Sequence, residues 1–361
     1  MGDSARLALA MVKSLRVLNF RCFKHLELKN LARVNVLVGK NGSGKTSFLE
    51  ALYVAAGGTP EIALRLRRWR GFGAAGTVFM TKEGYESLWR DLFFNFDAGA
   101  GAMIEMTGDA ETTRKLLLEY RPSETVTLPL TQPPTDSSLI TPLVFESTDS
   151  SGTVVPSRLV PTPEGIVRAA SSAQPVLAAF FNSISLFDGP AEAASQFSTL
   201  RQKNQADGVL KALKSVFPLI ESLSVEIVSG LPTLCGQIPP FPFPQPIALA
   251  SGGMTKLLHI LLGIASQAKG IVLIDEIENG FYYDAMPVIW TTIHAIAREY
   301  ETQVFTSTHS LECLRALLPV LENHQDDFCL IKTERKGTEG TAYLSPGDVM
   351  AAAIRQDFEV R

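Results

Sequence analysis

The chain has 361 residues, of which 46% are hydrophobic and 19% charged, with a formal net charge of −4. This length implies two domains, or one domain with a large insertion, and it supports a sizeable core without disulfides or metals. The slightly acidic balance argues weakly against a protein that coats DNA on its own, so any nucleic-acid contact needs a local patch. The four cysteines, Cys22, Cys235, Cys313 and Cys329, form no CxxC pair and no zinc-like spacing with histidine, so buried reduced thiols are expected. Met1–Ala10 lacks the apolar stretch of a secretory leader, and Met11 is a candidate start. No run reaches the roughly 18 apolar residues that span a bilayer. A cytoplasmic protein with no membrane partner is expected.

In chain order, Val12–Asn19 and His25–Leu28 alternate apolar and polar residues and read as a two-stranded antiparallel edge. Val34–Val38 reads as a buried strand, followed by a glycine-rich turn at Gly39–Gly44 and a helix over Lys45–Ala55. Glu61–Arg70 is predicted helical. Ala102–Thr107, Lys115–Tyr120 and Leu143–Glu146 are predicted strands. The Pro-, Ser- and Thr-rich stretch Arg121–Pro163 suggests loose chain. Helices are predicted near Ala191–Lys203 and Gly208–Phe217, and the proline-dense Gln237–Pro246 as a stiff extended approach. The last third alternates helix Gly253–Gln267, strand Ile271–Ile274, helix Ala285–Tyr300, strand Gln303–Thr306, helix Leu311–Leu318 stopping at Pro319, and strand Phe328–Thr333. That alternation implies a largely parallel sheet with helices on both faces.

Four motifs carry the chemistry. Gly39-Lys40-Asn41-Gly42-Ser43-Gly44-Lys45-Thr46 is a full P-loop between a strand and a helix. Its amides, from Gly39 through Asn41, Gly42, Ser43 and Gly44 to Ser47, suit phosphate oxygens at a helix N-terminus. Lys45 suits the β- and γ-phosphates of ATP, and Thr46 suits Mg²⁺. Ile271-Val272-Leu273-Ile274-Asp275-Glu276 is an apolar strand ending in two carboxylates. There Asp275 suits the metal and Glu276 suits the attacking water. Ala250-Ser251-Gly252-Gly253-Met254 lies 24 positions before Asp275 and makes a second anion-binding helix start, unless Ser251 is a plain N-cap. Thr306-Ser307-Thr308-His309-Ser310 follows a strand directly. For His25, His259, His294 and His324 a structural role is the expectation.

The order of these motifs resembles the ABC-type ATPases of the RecF, SMC and OLD nuclease branch. Ser251, Gly252 and Gly253 match the signature Leu-Ser-Gly-Gly-Gln, with Ala250 and Met254 as departures. His309 matches the switch histidine, and Phe20-Arg21-Cys22-Phe23 fits the branch opening. Asp275-Glu276-Ile277-Glu278-Asn279-Gly280 with Thr-His-Ser is similar to the stand-alone AAA-family ATPases there, many of them in bacterial anti-phage systems. Tyr282 occupies the usual D-loop aspartate position.

The resemblance implies an α/β fold, a P-loop ABC-type nucleotide-binding domain with a mixed sheet and a large α/β insertion. The core lobe is expected over 11–60 and 245–361. An insertion over 61–244 is expected to hold a strand-rich extension and a helical signature-bearing lobe. It implies ATP hydrolysis with Glu276, His309 and Lys45 as catalytic residues, ATP and Mg²⁺ as cofactors, and a homodimer sharing two ATP sites, extendable to a higher oligomer. The expected output is control of a separate effector, a nuclease or toxin. Two alternatives stand beside it: a DNA-acting repair ATPase, and a nucleotide-binding scaffold without turnover, for which Ala250, Met254 and Tyr282 speak. A transporter ATPase fits less well, given 205 positions between Thr46 and Ser251. With 52 residues after His309, no intrinsic nuclease domain of the OLD type is expected. Arg65, Arg67, Arg68 and Arg70 around Trp69 read either as a nucleic-acid contact or as a solvated basic face. Trp89–Phe94 reads as a core edge or a docking surface, the core edge being the better fit.

Overall fold

A computed structural model describes residues 11–71, 82–109, 112–124, 126–127, 139–162, 165–169, 175–182 and 190–356. The expectation for Met1–Ala10, and parts of those for 121–163, lie outside these residues. The first third runs β1 (Val12–Phe20), β2 (Phe23–Lys29), β3 (Val34–Val38), α1 (Lys45–Gly57), α2 (Pro60–Trp69) and α3 (Lys82–Ser87). Strands follow: β4 (Ala102–Gly108), β5 (Thr113–Tyr120), β6 (Val126–Thr127), β7 (Leu139–Ile140), β8 (Leu143–Asp149), β9 (Val154–Thr162), β10 (Gly165–Ala169) and β11 (Ala178–Phe181). Next come α4 (Pro190–Gln202), α5 (Ala206–Val216), β12 (Ser222–Val228), β13 (Leu231–Gln237), β14 (Gln245–Pro246), α6 (Ile247–Ala250) and α7 (Gly252–Ser266). The chain ends β15 (Ile271–Ile274), α8 (Met286–Glu299), β16 (Gln303–Ser307), α9 (Leu311–Asn323), β17 (Phe328–Lys336), β18 (Glu339–Pro346) and α10 (Gly347–Arg355).

These elements form two compact units. The first holds Met1–Leu31, Asn41–Val176 and Thr333–Tyr343, the second Ala32–Lys40, Leu177–Lys332 and Leu344–Arg361. The strand-rich part of the expected 61–244 insertion therefore lies in the first unit and its helical part in the second.

The first unit is built on a seven-stranded sheet, ordered β10-β9-β8-β5-β4-β1-β2. Its pairings are antiparallel, beginning with the β1–β2 hairpin read from the alternating sequence. β8, predicted as a strand over Leu143–Glu146, pairs with β9, where loose chain was expected. Tyr85 holds them by donating to the Leu159 carbonyl at 3.1 Å. The Trp89–Phe94 segment is core edge: Trp89 and Leu92 are fully buried, and Trp89 meets Phe145 edge-on.

The second unit is built on a sheet ordered β11-β15-β16-β3-β17-β18, parallel from β11 through β17. Parallel strands are covered on both faces and read as continuous apolar runs, which is why β3, β15 and β16 are buried throughout. Helix α7 is buried nearly all round, from Met254 to Ala265. Two local expectations fail here. Pro319 does not end its helix: α9 continues to Asn323 because Val320 and Leu321 are anchored in the core, and Asn323 donates its side-chain amide to the Pro319 carbonyl at 2.8 Å. The proline-dense segment closes onto the β12–β13 hairpin, with Pro246 opposite Cys235. Among the described residues no helix is long and apolar enough to cross a membrane.

Candidate functional site

In the first unit the P-loop opens α1 at Gly44, whose φ of +112° suits glycine alone. A Cβ there would also sit 2.9 Å from the Cys22 sulfur and 3.2 Å from the Phe23 ring, so the Phe20–Phe23 opening shapes the loop. Ser43 shares a 2.6 Å hydrogen bond with Thr333. Lys45 is buried and Thr46 half-buried at the first turn of the helix. Ser47 lies beside the Cys22 thiol, which burial pushes up and the Ser47 hydrogen bond partly restores. Gly39 and Lys40, at the end of β3, belong to the second unit.

Behind the loop, Arg21 is fixed in an ionic cluster. It sits 3.1 Å from Glu50 Oε2 on α1 and donates to Asp91 Oδ2 at 2.5 Å. Burial alone would lower its pKa, but the Glu50 and Asp91 carboxylates reverse that and raise it. Phe20 is fully buried, so neither residue of the opening offers a face for a nucleobase. The arginine group of α2 is likewise engaged. Arg67 donates to Asp91 at 2.7 Å, Arg70 to Glu50 at 2.5 Å and Arg65 to the Tyr53 hydroxyl at 3.2 Å, while Trp69 stacks on Tyr53. Arg67 and Arg70 thus engage Asp91 and Glu50, while Arg65, Arg68 and Arg70 remain exposed.

In the second unit the carboxyl end of β15 carries Asp275 and Glu276 beside the end of β16. Ser307 ties them: its hydroxyl donates to Asp275 Oδ1 and accepts from the Glu276 amide at 2.8 Å. Glu276 holds a left-handed φ of +52°, which strains a non-glycine residue and turns its carboxylate out of the strand line. Its Oε2 accepts from Asn279 at 2.5 Å. His309 stands 4.0 Å from Glu276 Oε1 but 3.1 Å from Glu278 Oε1, which also accepts the His309 amide at 3.1 Å. With Nδ1 engaged by Glu278, Nε2 is the ring atom left to face a ligand.

Ser251 caps α7, its hydroxyl accepting from the Met254 amide at a long 3.4 Å. Gly252 is exposed and Gly253 half-buried. A Cβ on Gly253 would lie 3.0 Å from the Gly280 carbonyl, so this helix start requires close backbone approach. One turn further in, Lys256 points its buried ammonium at three carbonyls: Glu276 at 2.9 Å, Ile277 at 3.2 Å and Asn279 at 2.7 Å. Burial pushes its pKa down to about 8, against the raising pull of Glu278 and Glu276. Tyr282 and Tyr283 beyond the turn are exposed, with rings 4.7 Å apart.

The second unit therefore joins Asp275, Glu276 and His309, and holds Ser251, Gly252 and Gly253 at the start of the helix that braces them. Glu278 and Lys256 were not singled out from sequence. The signal for Lys256 was present, since it is the only charged residue in the apolar run of α7 and a lone buried cation needs acceptors.

Comparison with known proteins finds ATPase relatives. A family model described as "AAA ATPase domain" matches residues 11–95, and one described as "AAA domain, putative AbiEii toxin, Type IV TA system" matches residues 137–315. An "ATP/GTP phosphatase" of Helicobacter pylori is 23% identical over 92% of this chain and 96% of its own length. A RecF DNA replication and repair protein of Thermomicrobium roseum is 56% identical over 46 residues, 13% of this chain and 12% of that protein. The fold is similar to that of the SmcHead solved bound to the C-winged helix domain of ScpA, with TM-score 0.50, 13% identity, and coverage of 93% and 98% of the two chains. These matches support an ABC-type ATPase similar to those of the RecF, SMC and OLD branch, on a fold like that of the SMC head.

Proposed function

We propose that the chain is an ATP-driven dimerisation switch acting in the cytoplasm. Gly39, Asn41, Gly42, Ser43, Gly44 and Ser47 offer the loop that cradles the phosphates, with Lys45 as the charge on the β- and γ-phosphates. Thr46 and Asp275 would hold Mg²⁺, which would supply positive charge against the phosphates. Glu276 orients and deprotonates the attacking water, and His309, aimed by Glu278, meets the γ-phosphate. Ser251, Gly252 and Gly253 close over the nucleotide of a second copy.

The single observation that carries this reading is the fixed Glu276 turn. Ser307, Asn279 and Lys256 hold this one carboxylate residue from three directions at the end of an apolar strand. Such pre-organisation fits a water-activating group better than a helix cap. Hydrolysis then opens the dimer, and the alternation controls a separate effector; the toxin–antitoxin wording of the family description supports a defence role. The Glu276→Gln variant is expected to run as a stable dimer on size exclusion with ATP and Mg²⁺, and as wild type without them. A variant that stays monomeric with ATP overturns the reading.

A second reading, a DNA-acting ATPase, draws on the RecF match over 46 residues. The engaged arginines of α2 weaken it. Hydrolysis stimulated by duplex DNA would favour it.

A further inference from the structure

At the end of the parallel sheet opposite Asp275, where β17 begins, three potential metal ligands converge. His294 lies on α8, His324 caps the end of α9, and Asp327 sits just before Phe328. One ligand atom from each falls within 4.8 Å of the others. His294 Nε2 is 2.8 Å from Asp327 Oδ2, and the two imidazoles face each other at 4.5 Å between centroids. His294 is buried, and the Phe328 ring packs 5.1 Å away. Burial of His294 on one side strengthens its bond to a cation, while His324 and Asp327 stay partly open to solvent. Tetrahedral zinc needs its ligand atoms about 3.4 Å apart, given bond lengths near 2.1 Å. The pair at 2.8 Å has to open slightly and the third ligand to close slightly, both within side-chain rotation.

Arg33 Nε and Arg298 Nε lie 3.8 Å and 3.7 Å from the two Asp327 oxygens. Arg33 Nε is buried and makes no hydrogen bond. One carboxylate oxygen can therefore take a metal while the other turns to Arg33, the outer-shell arrangement common around ligating carboxylates. The two guanidinium charges oppose a dication, so the affinity falls short of a four-cysteine site.

We propose that His294, His324 and Asp327 form a binding site for a zinc-class divalent ion. The ion pins α8, α9 and the start of β17 together, away from the nucleotide chemistry. The test uses the full chain without nucleotide. Zn²⁺ should raise its melting temperature, and Co²⁺ should give the visible bands of a tetrahedral site. His324→Gln and His294→Gln should each weaken Co²⁺ binding at least tenfold, while His25→Gln, an exposed histidine elsewhere, binds as wild type; far-UV circular dichroism confirms each variant is folded. No Co²⁺ spectrum in wild type, or equal binding by wild type and His324→Gln, overturns the proposal.

Discussion

Lys256→Met separates the stability of the head from its chemistry. In the wild type the buried ammonium carries a cost: a pKa moved from 10.5 to about 8 corresponds to about 3 kcal/mol against the charged form. Replacing it removes that cost but leaves three carbonyls without their donor. Those of Glu276 and Asn279 are within reach of water, because their residues are half-buried and exposed. Only the Ile277 carbonyl is orphaned in the interior, at about 1–3 kcal/mol. The two effects nearly cancel, so the unfolding free energy should change by less than about 2 kcal/mol. Turnover should fall at least about tenfold, because the Glu276 turn loses its brace while the P-loop is untouched.

pH supplies a second readout. Below pH 8 the lysine is charged in both folded and unfolded chains, and its burial cost is fully present. Between pH 8 and 10.5 the folded chain releases the proton first, so this group makes wild-type stability rise with pH there, and the rise should be missing in Lys256→Met. Urea melts at pH 7 and 9.5 and a phosphate-release assay make the comparison. A variant with wild-type turnover, or one too unstable to fold, would refute the cancellation and the bracing role.

Three further outcomes are expected. Arg21→Met should lower the unfolding free energy by about 3–5 kcal/mol, because it strips a partner from the buried Glu50; a loss under about 1 kcal/mol in urea melts would contradict the ionic brace. Ser251→Ala should cost under about 1 kcal/mol of stability, since the cap bond is long, yet abolish ATP-dependent dimerisation on size exclusion. Glu278→Gln should keep ATP affinity and lower turnover at least about tenfold by loosening His309, an effect absent in a His309→Ala background if the two act as one unit.

The fold was legible where one physical signal dominates. β3, β15 and β16 are short apolar runs bounded by turn residues, and α7 is too apolar to be anything but interior. The β12–β13 hairpin was missed because Leu231, Ile227 and Val228 face solvent, so apolar and polar positions do not sort by face. Pro319 misled because a missing amide is a local loss, while the burial of Val320 and Leu321 is a tertiary gain invisible in the window. At the site, motif residues were named by spacing, but their supports were not. Ser307 meets Asp275 across 32 positions and Lys256 meets Glu276 across 20, distances that only the sheet and helix packing bring to contact. The α2 arginines read as a patch for the same reason, since Glu50 and Asp91 lie on other elements.

The shared nucleotide site is tested most directly by mixing two inactive variants. Lys45→Ala spoils the phosphate grip and Ser251→Arg blocks the closing loop. If each site takes Lys45 from one copy and Ser251 from the other, an equimolar mixture forms mixed dimers with one intact site. Random pairing should then restore about a quarter of wild-type phosphate release. A mixture as inactive as its components would place the whole site within one chain and contradict the account.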